Sequence, residues 1–202
     1  MNKPGGDAAF WDKLYAAPRP TWNTDRVEPE LVRVLEGLGR KGGRVLELGC
    51  GTGANAVWMA ANGFDVSAFD VSPLAIEQAD ARAAREGVSV RFFASSVSDV
   101  DRQHGTFDLL VDVGCYHSIR TRQLLEAYQQ LLVDFTRSGS TVVVLAGNAR
   151  RPSFPGPPHV SEEDLRSELG KDLSIVDLHE FEFDTMPPAT PFLGWSCLLQ
   201  RA

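Results

Sequence analysis

The chain has only three cysteines in 202 residues, Cys50, Cys115 and Cys197, and none stand in a Cys-x-x-Cys spacing. So few thiols, odd in number, exclude a disulfide framework and a cysteine-built zinc site, and they suit a reducing compartment. No metal is expected. The chain also lacks any run of 18 apolar residues, and Met1-Asn2-Lys3-Pro4-Gly5-Gly6 has no apolar core of the secretory kind. These absences predict a soluble, cytoplasmic protein with no membrane partner. Basic residues are in deficit, 20 against 27 acidic, for a formal charge of −7. Duplex nucleic acid needs a concentrated basic face to displace counterions. Here arginines are scattered, with small clusters only at Arg82/Arg85 and Arg150-Arg151, so no nucleic-acid partner is expected.

What is present is ordinary globular composition, 43% apolar and 23% charged, with no internal repeat. The length suits one domain, 1–202, divided into an N-terminal helical lid over residues 1–40 and a core over 41–202. Strand-like runs alternate with helical patterns in that core. Strands are expected at 44–48, 64–69, 88–94, 107–113 and 141–146, with helices at 54–62, 73–86 and 121–136 between them. This rhythm predicts an α/β fold, a Rossmann-like, seven-stranded, mostly parallel sheet with helices on both faces. Ser161 opens a further helix with an acidic first turn. Runs at 173–183 and 192–200 then complete the sheet as an antiparallel C-terminal hairpin. Two helices, at 8–15 and 28–38, precede the core.

The most informative stretch is Glu47-Leu48-Gly49-Cys50-Gly51-Thr52-Gly53, after a strand and before a helix. Alternating glycines allow a sharp turn and close approach of a ligand, and backbone N–H groups at a helix start receive anionic groups. The next strand ends at Asp70, where a carboxylate accepts hydrogen bonds from ribose hydroxyls. Gly49, Gly51 and Ala54 also satisfy the looser dinucleotide pattern. Glu47 decides against it, since a carboxylate there repels a pyrophosphate but holds a cationic amino acid.

These residues resemble the class I S-adenosylmethionine-dependent methyltransferases, whose first motif is an acidic residue followed by G-x-G-x-G. The resemblance implies S-adenosyl-L-methionine as cofactor. Glu47 and the loop Gly49, Cys50, Gly51 and Gly53 then face its methionine part, Asp70 its ribose, and Val71 its adenine. Ser96 stands where the family often has Asp beside the adenine amino group, with Val97 next to it and Asp99 as a rival. Asp112, at the end of the fourth strand, and Trp22, in the loop between the first two helices, complete the expected cofactor contacts. The fourth strand, ending Asp112-Val113-Gly114-Cys115-Tyr116, lacks the Asn/Asp-Pro-Pro-aromatic tetrad of nucleobase and amide methyltransferases.

The flanks Phe10-Trp11-Asp12-Lys13-Leu14-Tyr15, Pro20-Thr21-Trp22-Asn23-Thr24 and Pro155-Gly156-Pro157-Pro158-His159 resemble the thiopurine methyltransferase-like branch. Members of that branch methylate small thiols, thiopurines, halides or hydroxylated heteroaromatic toxins. The resemblance implies a small-molecule methyl acceptor, with a thiol or hydroxylated heteroaromatic favoured and its sulfur, oxygen or nitrogen atom receiving the methyl group. Trp11, Tyr15, Cys115, Tyr116 and His159 are the expected pocket residues. His117 is the candidate general base, having a suitable ordinary pKa at the expected pocket mouth. An NAD-dependent oxidoreductase and a non-catalytic cofactor-binding module are the alternatives. The pattern specifies neither the acceptor's identity nor an oligomeric state.

Overall fold

The computed structural model describes residues 7–17, 20, 22–150, 159–184 and 192–202. Thr21, Arg151, the Pro155-Gly156-Pro157-Pro158 stretch and most of the turn at 184–191 lie outside the described residues.

Five parallel strands form the body of the sheet: β1 (Gly43–Leu48), β2 (Phe64–Asp70), β3 (Arg91–Ala94), β4 (Leu109–Val113) and β5 (Thr141–Gly147). Two more, β6 (Ser174–Glu182) and β7 (Leu193–Gln200), complete the order β3-β2-β1-β4-β5-β7-β6. β7 runs antiparallel between β5 and β6, so the chain's last strand is interior and β6 is the edge. The Val142–Ala146 run of β5 is fully buried, as a strand covered on both faces must be.

Helices α1 (Ala8–Ala16) and α2 (Pro29–Gly37) precede the sheet; α3 (Ala54–Ala61), α4 (Pro73–Glu86), α5 (Arg122–Asp134) and α6 (Glu162–Leu169) follow its strands. Their starts obey local chemistry. Ser72 Oγ accepts from Ala75 N–H with Pro73 in the first turn, and Ser161 with Asp164 forms a reciprocal capping box. Helix α4 ends at Gly87 in the left-handed conformation, and Val88 N–H closes back on Ala83 O. That bond occupies the segment where the sequence pattern places the start of the third strand. β3 therefore begins at Arg91.

Two apolar layers sandwich the sheet. Leu46, Leu48, Leu110 and Val142 face α5 and α6, while Val45, Val66, Leu109 and Val143 face the layer holding Leu31, Leu35 and Met59. Each such buried aliphatic side chain stabilises the fold by roughly 1.5–3 kcal/mol. No helix among the described residues is long and apolar enough to cross a membrane.

Candidate functional site

The carboxyl ends of β1, β2 and β4 meet on one edge of the sheet, where the strand order reverses around β1 and β4. Open parallel sheets place ligands at such a crevice. Glu47 pairs in register with Ala68, and Leu48 with Asp112. Alternation along the strands thus puts Glu47 and Asp70 on one face and Asp112 on the other.

The glycine turn is built by positive φ angles, 66° at Gly49 and 53° at Gly51. A Cβ at Gly49 would lie 2.6 Å from Cys115 Cβ, and one at Gly51 would lie 2.9 Å from the Tyr15 hydroxyl. The missing side chains therefore admit Cys115 and Tyr15 to the turn. Its backbone is largely committed inside the fold. Cys50 N–H bonds Phe69 O, Gly51 N–H bonds Asp70 Oδ2 and Gly53 N–H bonds Cys50 O. These three amides are thereby engaged within the fold.

Both acidic residues beside the turn are buried. Asp70 accepts Gly51 N–H on Oδ2 and Ser72 N–H on Oδ1, each at 2.9 Å. These backbone bonds, with a further contribution from Val71 N–H, leave the carboxylate with acceptor capacity to spare. Glu47 accepts from Asn55 Nδ2 at 3.1 Å on Oε1, while Oε2 is buried with no hydrogen-bond partner. Burial pushes the Glu47 carboxyl up to about 8, aided by Asp112 and Asp70 and opposed by the Asn55 bond and by the backbone N–H of Ala56. An unpartnered buried acceptor of this kind calls for a cationic donor. Among the described residues no group of His, Cys, Asp and Glu could hold a metal ion.

The structure gathers Tyr15, Cys50, Cys115 and Asp70 around the turn. The phenol of half-buried Tyr15 has its pKa raised, first by desolvation and then by Asp70, Cys50 and Cys115. Trp11 packs against Tyr15 with ring centroids 6.4 Å apart, and Trp22 is 46% exposed. Helix α1 is tied to α4 through Asp12, which accepts from Ser72 Oγ and from Leu74 N–H. Val71, Ser96 and Val97 are half-buried at the ends of β2 and β3; Ser96 Oγ accepts from Ser98 Oγ at 3.1 Å, and Asp99 is exposed.

Three expectations need correction. Asp112 lies on the sheet face opposite Glu47 and Asp70, and its oxygens are engaged within the fold. Its carboxylate takes Tyr128 Oη–H at 2.8 Å and the N–H groups of Cys115 and Tyr116, which anchors the bend after β4. Tyr116 is fully buried and its hydroxyl donates to Glu168, so it belongs to the α5–α6 layer and not to a pocket. His117 is unsuited to act as a base. It is buried, its Nδ1 accepts Gly147 N–H at 2.8 Å, and desolvation lowers its pKa to about 3. A neutral imidazole whose Nδ1 already accepts carries its proton on Nε2 and has no free lone pair to offer. His159 is half-buried, with its pKa also lowered by desolvation.

Two contributors escaped the sequence reading. Asn55 clamps Glu47. Arg82, on the apolar stripe of α4, donates to Thr52 O at 2.8 Å and pairs with Asp25, fastening the loop after α1 to the glycine turn. Asp25 sits at φ 59°, the one non-glycine residue among those described with positive φ. A cation placed among Ala75, Ala79 and Ala83 was the available signal for Arg82.

Comparison with known proteins matches this geometry to a chemistry. A profile described as "Methyltransferase domain" matches residues 45–134. The chain is 33% identical over 165 residues to 2-heptyl-1-hydroxyquinolin-4(1H)-one methyltransferase of Mycobacteroides abscessus, covering 80% of this chain and 72% of that protein. A solved structure described by the conversion of a disulfide bond into a thioacetal group during echinomycin biosynthesis superposes with a TM-score of 0.82. It is 25% identical and covers 96% of this chain and 92% of that one. Magnesium protoporphyrin IX methyltransferase from Synechocystis, with S-adenosylmethionine bound, shares the fold at a TM-score of 0.70 and 17% identity, over 95% of this chain and 89% of that one.

Proposed function

The chain belongs to the S-adenosylmethionine-dependent methyltransferases, and on that premise we propose that it methylates a small hydroxylated heteroaromatic molecule on oxygen. One observation carries the acceptor class: the relative named for a hydroxyquinolinone aligns over most of both chains. We assign the protein to the thiopurine methyltransferase-like branch, acting in the cytoplasm as a single domain with residues 1–40 as lid. Nucleic acid is not among its partners in this reading, in keeping with the formal charge of −7. A sulfur acceptor is the second reading, favoured by the disulfide-to-thioacetal chemistry named for the structural neighbour.

When bound, the cofactor supplies a methyl group on a sulfonium that departs as a neutral thioether. Glu47 would hold its cationic amino-acid part through the unpaired Oε2, and Asp70 its ribose hydroxyls through the remaining lone pairs. Val71, Ser96 and Val97 would border the adenine. Phe10, Trp11 and Tyr15, which pack on one another along α1, would exclude water and offer aromatic faces to a flat acceptor. Cys115, which packs against Gly49 of the turn, would lie near the cofactor. An acceptor hydroxyl acidic enough to arrive ionised needs no base, which suits a site where His117 is buried and neutral. The chain's work is alignment and water exclusion.

The test is calorimetry with S-adenosylmethionine, followed by a panel of hydroxyquinolones, phenols and thiols read by S-adenosylhomocysteine release. Binding with turnover on hydroxylated heteroaromatics is expected. Absence of binding at millimolar cofactor overturns the reading, and turnover confined to thiols selects the sulfur alternative. NADH binding that S-adenosylhomocysteine does not displace would restore the oxidoreductase. Tight cofactor binding without turnover on any acceptor would identify a binding module.

A further inference from the structure

Glu47 reaches the end of β1 with one oxygen engaged and the other buried and unpaired. The residue that creates this asymmetry is Asn55, in the first turn of α3. Its Oδ1 accepts Glu28 N–H at 2.9 Å and its Nδ2 donates to Glu47 Oε1 at 3.1 Å. The two bonds fix the amide's direction, because a flipped amide would set its oxygen against Glu47 and its NH2 against the Glu28 N–H. Glu28 begins α2, which is therefore joined through one side chain to the carboxylate beside the glycine turn.

We propose that Asn55 is a positioning residue for the cofactor: it occupies Oε1 of Glu47, leaves Oε2 for the ligand's ammonium group, and favours the ionised carboxylate with which that group pairs. This rests on the cofactor assignment to Glu47 made above. The ionisable neighbours acting on Glu47 are Asp112 from β4 and Asp70 from β2, and Glu47 in turn acts on the Cys50 thiol. None of these is cationic, so the Asn55 amide, the larger contributor, and the Ala56 backbone N–H are what offset the cost of ionising Glu47. The ligand's ammonium then completes the pairing.

The experiment measures S-adenosylhomocysteine affinity by calorimetry from pH 6 to 9 for the unaltered protein, Asn55→Ser, Asn55→Leu and Glu47→Gln. 5′-Methylthioadenosine, which lacks the amino-acid part, is the comparison ligand. Affinity of the unaltered protein rises with pH until the free carboxyl is ionised, since only the carboxylate pairs with an ammonium. Both Asn55 variants bind S-adenosylhomocysteine ~10-fold more weakly. Their rise extends to higher pH, because the lost amide bond favoured the ionised form. Glu47→Gln loses the rise, and 5′-methylthioadenosine binds all four proteins alike. The serine variant keeps the comparison available should the leucine variant misfold. An Asn55→Ser profile superimposed on the unaltered one overturns the proposal, as does an equal loss for both ligands. If the unaltered protein binds no S-adenosylhomocysteine, the cofactor reading itself fails.

Discussion

Replacing Glu47 by glutamine is expected to stabilise the cofactor-free protein, by an amount that grows with pH. Burial raises this carboxyl from its ordinary 4.5 to about 8. The folded state therefore holds the proton more tightly than the unfolded state. The stabilising contribution is complete below the unfolded value and is lost as pH rises through the folded one. Each full unit between the two is worth about 1.4 kcal/mol, and with the rounding of the curve near each pKa the loss between pH 5 and pH 8 is about 3.5 kcal/mol. Glutamine preserves the shape and the Asn55 contact without titrating. Urea unfolding of both proteins at pH 5, 7 and 8, without cofactor, reads the difference directly. Glu28, raised to about 7 by burial, titrates in both proteins and cancels, while Asp112, also raised to about 7, is coupled to Glu47 and its titration shifts with the substitution. Stability curves that run parallel with pH would refute the reasoning, for Glu47 would then be ionised without cost in the folded chain. The stabilised variant should bind cofactor less well, the usual conflict between a strained site and a stable fold.

Two further outcomes follow from the same geometry. Asp70→Ala should weaken S-adenosylmethionine binding by about 1–3 kcal/mol in calorimetry, through loss of hydrogen bonds to a charged acceptor; an unchanged affinity would move the ribose elsewhere. His117 lies below its ordinary pKa, at about 3, so its contribution to stability is full above 6.5 and lost as pH falls toward that folded value. His117→Phe should flatten the acid limb of the stability curve, and the pH–rate profile of the unaltered enzyme should show no inflection near pH 6.5. An inflection that the substitution removes would reinstate His117 as the base.

The architecture was legible because its signals are local. Alternating apolar runs, Ser72 followed by Pro73, and the glycines after β1 each specify backbone geometry within a few residues. The strand ends carrying Glu47 and Asp70 follow from the same pattern. Errors arose where partners are distant in the chain. His117 has the right residue type near the right edge, yet Gly147, thirty positions on, fixes its tautomer. Asp112 was read as facing a ligand because it ends a strand. Tyr128 and the bend at Cys115–Tyr116 consume it instead.

The sequence by itself determined the order of elements, the turn after β1 and the two carboxylates beside it, since strand period, helix caps and glycine conformations act over short range. Tertiary structure alone decided which polar groups remain available there. Asn55 engages half of Glu47, Arg82 binds Asp25 to the turn, and Asp112 and His117 are consumed in holding the bend after β4. Charge state and hydrogen-bond capacity depend on burial and on neighbours from remote segments, and those exist only once the sheet and its helices have closed around them.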